Sequence, residues 1–317
     1  MRVTFEARRL EPAPQGAVVS IGVFDGVHRG HQEILARNLA CAREKKAEPT
    51  VVTFRRHPKR VLLGRAPHSI TTLDHRLVQF RRAGIGHVLV LRFTDELRSM
   101  EAERFTEDIL VRGLDARAFV LGFDNKFGRN ARGGPDLLRQ HGHPVEVVEQ
   151  VVVGHRPVSS TAIREAIGLG DLDGAAAMLG RPVSILGRVV HGDHLGRQLG
   201  IPTANLDLMG EHHPPRGVYA ARARHVSGEE DRGRGPSHPA MANIGLRPTV
   251  TSGDPELRIE VHLLDYSGDL YGERLEVEFV RRFREERSFP DLSALRAQLE
   301  EDAATARAIL EAPTANG

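Results

Sequence analysis

The chain has no tryptophan, three tyrosines and a single cysteine among 317 residues. One cysteine excludes an intramolecular disulfide and any cysteine-rich metal site. Cys41, in ILARNLACAREK, falls on the apolar side of a predicted helix and reads as a core thiol. No stretch approaches the ~18 consecutive apolar residues of a spanning helix, and MRVTFEARRLEPAP at the start has no apolar signal region. The expectation is a soluble cytoplasmic protein with no membrane partner. A strong charge of one sign is also missing, since 44 Lys and Arg stand against 42 Asp and Glu, a formal +2. That is not the field of a nucleic-acid-binding domain. With aromatic residues at 5%, a sheet of stacking rings for RNA is disfavoured too. No nucleic-acid partner is expected, and a homo-oligomer is left open.

What is present is ordinary for a soluble globular chain, with 40% hydrophobic and 27% charged residues, and its length favours two cores over one. In the first half, AVVSIGVF (17–24), TVVTF (50–54), HVLVLRF (87–93), AFVLGF (118–123) and VEVVEQVVV (145–153) read as buried strands. Helical stretches separate them. One is HQEILARNLACAREKKA, a second places Leu73, Leu77 and Phe80 on one stripe closed by Gly84, and a third runs to Gly113. Strand and helix in turn predict a parallel sheet covered by helices, with ligands at the carboxyl ends of its strands. After Pro182 the texture changes to short strands separated by turns: SILGRVVHG, GVYAARARHV, PAMANIG, LRIEVHLLD and RLEVEFVRRF. This predicts an antiparallel sheet or barrel. A final helix carries Leu292, Leu295, Leu299, Ala303, Ala306 and Leu310, with Asp291 as N-cap. The predicted domains are 1–182 and 183–317, with a polar loop at 227–238.

The first candidate site is GVFDGVHRGHQ, where a strand gives way to a helix. A helix N-terminus offers unpaired N–H groups and partial positive charge to a phosphate. His28 and His31, at i and i+3, can face one anion, and the surrounding glycines, Gly30 among them, clear space for it. Two polar loop histidines, or a zinc site, are the rival readings; zinc lacks a third ligand here. Three further pieces fall at the same sheet edge: HP at 57–58, GFDNKFGRNARGG at 122–134, and SSTAIR at 159–164. The last sets Ser160 and Thr161 at a helix start, with Arg164 one turn on.

The second candidate site is HGDHLGRQLGIPTANLDL. A loop containing Gly192, Gly196 and Gly200 could wrap phosphates with backbone N–H groups, although it lacks the ending of a Walker A loop. If 202–206 is extended, Thr203 and Asn205 share a face and offer hard oxygen ligands for Mg²⁺. On LRIEVHLLD, Glu260 lies on the polar face, where it is either a solvated acid or a general base for an alcohol.

Taken together, GVFDGVHRGHQ, HP, GFDNKFGRNARGG and SSTAIR, followed by PTAN, NIGLRPT, EVHLLDYSGDLYG and RFREERSF, resemble the prokaryotic bifunctional riboflavin kinase/FMN adenylyltransferase family, also called FAD synthetase. The resemblance runs from about residue 15 to 310. It implies a Rossmann-like α/β nucleotidyltransferase domain of the HxGH superfamily, then a mostly antiparallel six-stranded β-barrel with a C-terminal helix. It further implies that riboflavin is phosphorylated to FMN by Mg²⁺-bound ATP, and that FMN is then adenylylated to FAD. By the same resemblance His28 and His31 contact the ATP phosphates, while Gly22, Phe24 and Gly30 line the nucleotide. Ser160, Thr161 and Arg164 meet phosphate, and Asp124 lies on the flavin or pyrophosphate side. In the kinase half, Thr203 and Asn205 hold Mg²⁺–ATP, Glu260 is the base, and Arg284, Glu286 and Phe289 flank the flavin. Asn125 stands where the family pattern leads one to expect an aromatic or apolar residue.

Overall fold

The strands of the first half are apolar on both faces, and they pair as the inner strands of a parallel sheet must. In a computed structural model the sheet comprises β1 (Arg2–Thr4), β2 (Ala17–Ile21), β3 (Glu48–Phe54), β4 (His87–Leu91), β5 (Ala116–Gly122) and β6 (Val145–Val148), in the order β1-β4-β3-β2-β5-β6. All pairings are parallel. Val18, Val19, Val51, Val52, Val88 and Leu89 are wholly buried. From β2 the chain moves one way to β3 and β4, then returns to the other side of β2 with β5. That reversal opens a crevice at the carboxyl ends of β2 and β5, where sheets of this kind bind ligands.

The structure describes residues 1–7, 10–56, 68–191, 200–208, 210–226, 235–247 and 256–312. Two differences from the sequence reading lie in the first sheet. The short β1, with only Val3 apolar, pairs with β4 and was not expected. The run 145–153 is split: β6 ends at Val148, and β7 (Val152–Val153) turns back on β8 (Arg156–Pro157) as a separate hairpin. Helix Arg29–Lys45 packs on β2, β3 and β5. Helix Leu73–Ala83 is capped by Thr72, which accepts from the His75 N–H, and ends at Gly84 with φ 93°. Cys41 is half-buried against the cluster around Val18, and burial pushes its thiol pKa up.

In the second half β9 (Ser184–Val190), β10 (Ala204–Asp207), β11 (Gly217–His225), β12 (Ser237–Arg247), β13 (Glu256–Leu263) and β14 (Arg274–Arg284) close into a six-stranded antiparallel barrel, in the order β10-β13-β12-β11-β14-β9. Alternation sets its two faces. Tyr219, Ala242 and Val261 are cross-strand partners that fill the inside, Tyr219 edge-on to Phe279. Ala220 and Met241, pointing the other way, pack with Ala306 and Leu310 of helix Leu292–Glu311. Asp291 caps that helix, accepting from the Ala294 N–H at 2.8 Å. Leu292, the first residue of the predicted stripe, is 54% exposed, because the helix meets the barrel only further along. The chain divides into two compact units, Met1–Ser160 and Thr161–Gly317; the change in composition near residue 182 comes later in the sequence.

Candidate active sites

The turn after β2 takes an unusual path. Phe24, Gly26 and Val27 have φ of 54°, 82° and 40°, and for a β-branched residue such a value costs of order 1–3 kcal/mol. Its neighbours hold it there. Gly26 N–H donates to Thr71 Oγ1 (2.9 Å), and Thr71 N–H donates to Asp25 Oδ1 (3.1 Å). Arg76, 5% exposed, donates to the Val23 carbonyl, to Thr53 Oγ1 (2.9 Å) and to the Phe54 carbonyl (2.9 Å). Burial lowers its pKa to about 10, against the opposing pull of Asp25. It therefore stays a cation at neutral pH and ties the end of β3 to the loop after β2.

Helix Arg29–Lys45 begins directly after this turn. Its N-cap is His28, whose Nδ1 accepts the His31 N–H at 3.4 Å. The two imidazoles stack with centroids 3.6 Å apart and planes at 15°. A Cβ on Gly30 would sit 3.3 Å from the His28 ring, and one on Gly22 would sit 3.1 Å from the Phe24 ring. Both glycines are thus there to let a ring pack close. Gly22, Phe24, His31 and Asp124 line one cavity of about 980 Å³, while His28, 7% exposed, is stacked behind His31. Asn125 lines it as well. Its amide N–H donates to the Ile21 carbonyl, and its buried Oδ1 has no partner among the described residues. The wall is polar where an apolar residue was expected. Ser160 Oγ donates to the Asp25 carbonyl at 3.0 Å, which brings the start of helix Ser160–Leu169 to the same turn. Thr161 and Arg164 follow on that helix, the first exposed and the second half-buried.

On the barrel, Thr203 is half-buried just before β10, and Asn205 is 9% exposed. Asn205 is directly opposite Glu260 on β13, so their side chains share a face. Arg258 Nη1 lies 3.7 Å from Glu260 Oε1. His262, on the same face of β13, donates from Nδ1 to the Pro202 carbonyl at 2.7 Å and pins the segment that carries Thr203. A pocket beside them is lined by Val189, Thr203, Asn205, Tyr266 and Tyr271, with Tyr271 stacked on His191 at 4.1 Å.

Residues 10–162 match the FAD synthetase family and residues 179–310 the riboflavin kinase family. A bifunctional riboflavin kinase/FMN adenylyltransferase of Pseudomonas fluorescens is 41% identical over 100% of both chains. The chain belongs to the bifunctional riboflavin kinase/FMN adenylyltransferase family. It is an enzyme of that family, with the FAD synthetase half preceding the riboflavin kinase half. A relative of the same description from Haemophilus influenzae is 38% identical over 93% of this chain and 94% of its own. A solved structure described as a macrolide-efflux protein from Streptococcus pneumoniae is similar over 96% of this chain and 98% of that one, with a TM-score of 0.79 and 31% identity. Among the described residues no helix is long and apolar enough to cross a membrane.

Set beside the family, the kinase half places its expected flavin residues in different settings. Arg284 is held by Asp302 of the terminal helix through two contacts, at 2.8 and 2.5 Å, and Gln298 also donates to Asp302. Asp302 is 1% exposed, so Arg284 anchors the helix to the barrel. Glu286 is exposed and sits over Gly245, where a Cβ would meet its carboxylate. Phe289 is half-buried beneath the Arg287 guanidinium, 5.1 Å from its ring centroid. Gly200 is exposed with φ 79°; Gly192, Gly196 and the pair His57–Pro58 lie outside the described residues. Sequence reasoning passed over several cavity residues: Phe54 and Phe93, edge-to-face at 5.8 Å, and the cations Arg98, Lys126 and Arg129. It also missed Arg76, although that residue falls within the stripe of Leu73, Leu77 and Phe80, where a buried charge is a signal in itself.

Proposed function

We infer that the chain makes FAD from riboflavin in two ATP-dependent steps, in the cytoplasm, with residues 183–317 catalysing the first and residues 1–182 the second. The observation that carries this reading is the pairing of Asn205 with Glu260 across β10 and β13 beside Thr203. The buried Asn205 Oδ1 has no partner among the described residues, and a hard oxygen so placed fits Mg²⁺. Thr203 and Asn205 would hold the ion. When bound with ATP, Mg²⁺ neutralises phosphate charge. Glu260 takes the proton of the terminal ribityl hydroxyl as its oxygen attacks the γ-phosphorus of ATP, which leaves FMN and ADP. His262 keeps Thr203 in place through the Pro202 carbonyl.

In the second step the FMN phosphate attacks the α-phosphorus of ATP, and pyrophosphate leaves. An anionic nucleophile needs no strong base, so the site supplies position and donors. The start of helix Arg29–Lys45 and the ring of His31 face the triphosphate, and His28 orients His31 from behind. Ser160, Thr161 and Arg164 form a second phosphate-contacting segment, and Asp124 lies toward the flavin. Phe54 and Phe93 offer ring faces and edges for the isoalloxazine.

The test is a time course of the purified protein with riboflavin, ATP and Mg²⁺, the flavins being separated chromatographically. FMN is expected first and FAD after it. No FMN from riboflavin, or no FAD from supplied FMN, overturns the corresponding half of the reading.

A further inference from the structure

The face of the barrel that carries Glu260 continues beyond it. β13 is flanked by β10 and β12, and Glu260 is directly opposite both Asn205 on β10 and Asn243 on β12. Cross-strand partners share a face, so three polar side chains stand in one row with the carboxylate in the middle. The residues on either side of Asn243 and Glu260 in sequence, Ala242, Ile244, Ile259 and Val261, are buried and point into the barrel. The row therefore belongs wholly to the opposite face. Asn205 and Asn243 each end in a buried Oδ1 without a partner among the described residues. Buried acceptors of this kind are costly unless a ligand supplies a donor or a cation.

The two amides stand on opposite sides of the carboxylate. Two strand spacings, roughly 9–10 Å, separate their backbones, with Glu260 between them. Thr203 lies on the Asn205 side, which assigns the ion and the phosphates to that side. Asn243 is on the other side of the base, toward the alcohol. We propose that Asn243 accepts a hydrogen bond from a hydroxyl of the substrate's polyol chain adjacent to the one that Glu260 deprotonates, and so sets which hydroxyl reaches phosphorus. The proposal rests on the reading of Glu260 as the base of the kinase step. A neutral amide suits the task. It accepts from a hydroxyl without taking the proton.

Kinase kinetics with two flavins test it: riboflavin, and a flavin whose side chain has the same length but only the terminal hydroxyl. Asn243→Leu keeps the volume and removes the acceptor. It should lower kcat/KM for riboflavin by ~10–100-fold and that for the monohydroxy flavin by less than about 2-fold, with KM for Mg²⁺–ATP unchanged. Asn243→Ser retains an acceptor and should restore part of the preference for riboflavin. If Asn243→Leu fails to fold, Asn243→Ser alone decides, by a reduced ratio between the two flavins. FAD formation from added FMN and the Tm report on folding. An equal loss on both flavins, no loss on either, or a raised Mg²⁺ requirement overturns the proposal. A wild-type protein that converts FMN to FAD but makes no FMN overturns the kinase reading itself, a result distinct from these.

Discussion

Around the turn after β2 the cavity is lined by the His31 ring and the cations Arg98, Lys126 and Arg129, with Asp124 and the Asn125 Oδ1 as its acceptors. On the barrel face oxygens predominate, those of Asn205, Asn243, Thr203 and Glu260, with Arg258 as the cation beside the carboxylate. The contrast follows from the nucleophiles. A phosphate arrives already charged, so its site must stabilise negative charge and align reactants. An alcohol arrives neutral, so its site must remove a proton and hold a cation for the phosphates. The means of construction differ as well. A strained turn locked by a buried arginine aims the first set, whereas strand register, with His262 holding the Pro202 carbonyl, aims the second.

The largest expected effect that would break this comparison is on Glu260, the proposed base. Glu260→Gln should slow FMN formation by ~10²–10⁴-fold and leave FAD formation from supplied FMN at the wild-type rate, both read by flavin chromatography. Next, His28→Ala combined with His31→Ala should do the reverse, lowering FAD formation by ~10²–10³-fold while FMN accumulates. A folded variant of either kind that lost both activities would show that the two sites are not separate.

Two further predictions sharpen the account of how the first site is held. Arg76→Met removes a donor from the half-buried carbonyls of Val23 and Phe54 and from Thr53 Oγ1. It should destabilise the first unit by ~2–4 kcal/mol in urea unfolding and leave the barrel's transition in place. His87, 1% exposed, has its pKa lowered to about 4, first by burial and then by Arg2. Its folded pKa is below the unfolded value of 6.5, so the unfolded chain binds more protons between pH 6.5 and 4. The stabilisation is complete above pH 6.5 and is lost as the pH falls toward 4, by up to about 3 kcal/mol. His87→Gln should flatten that dependence in urea midpoints measured at pH 7 and pH 4.5. The smallest effect is expected for Asn205→Ala, a ~10-fold higher Mg²⁺ requirement for FMN formation with no change in FAD formation from FMN.

Much of this was legible in the linear chain. Runs apolar on both faces announced the parallel sheet, and alternation in LRIEVHLLD placed Ile259 and Val261 inside the barrel with Glu260 outside. Gly22, Phe24, His31 and Asp124, distant in sequence, do line one cavity. Other features were not legible because they depend on partners far along the chain. β1 is too short to carry a periodic signal and exists by pairing with β4. Arg284 matched a flavin-side segment, yet its guanidinium is held by Asp302, which a pattern confined to RFREERSF does not contain.

The sequence by itself determined the two folds and their order, because periodicity, turn chemistry and short motifs are local properties. Tertiary structure decided which residues meet. Strand order placed the crevice between β2 and β5, helix packing set Arg76 against the turn after β2, and barrel register put Asn243 opposite Glu260. Register is a relation between strands, and a one-residue slip would have turned that amide into the core.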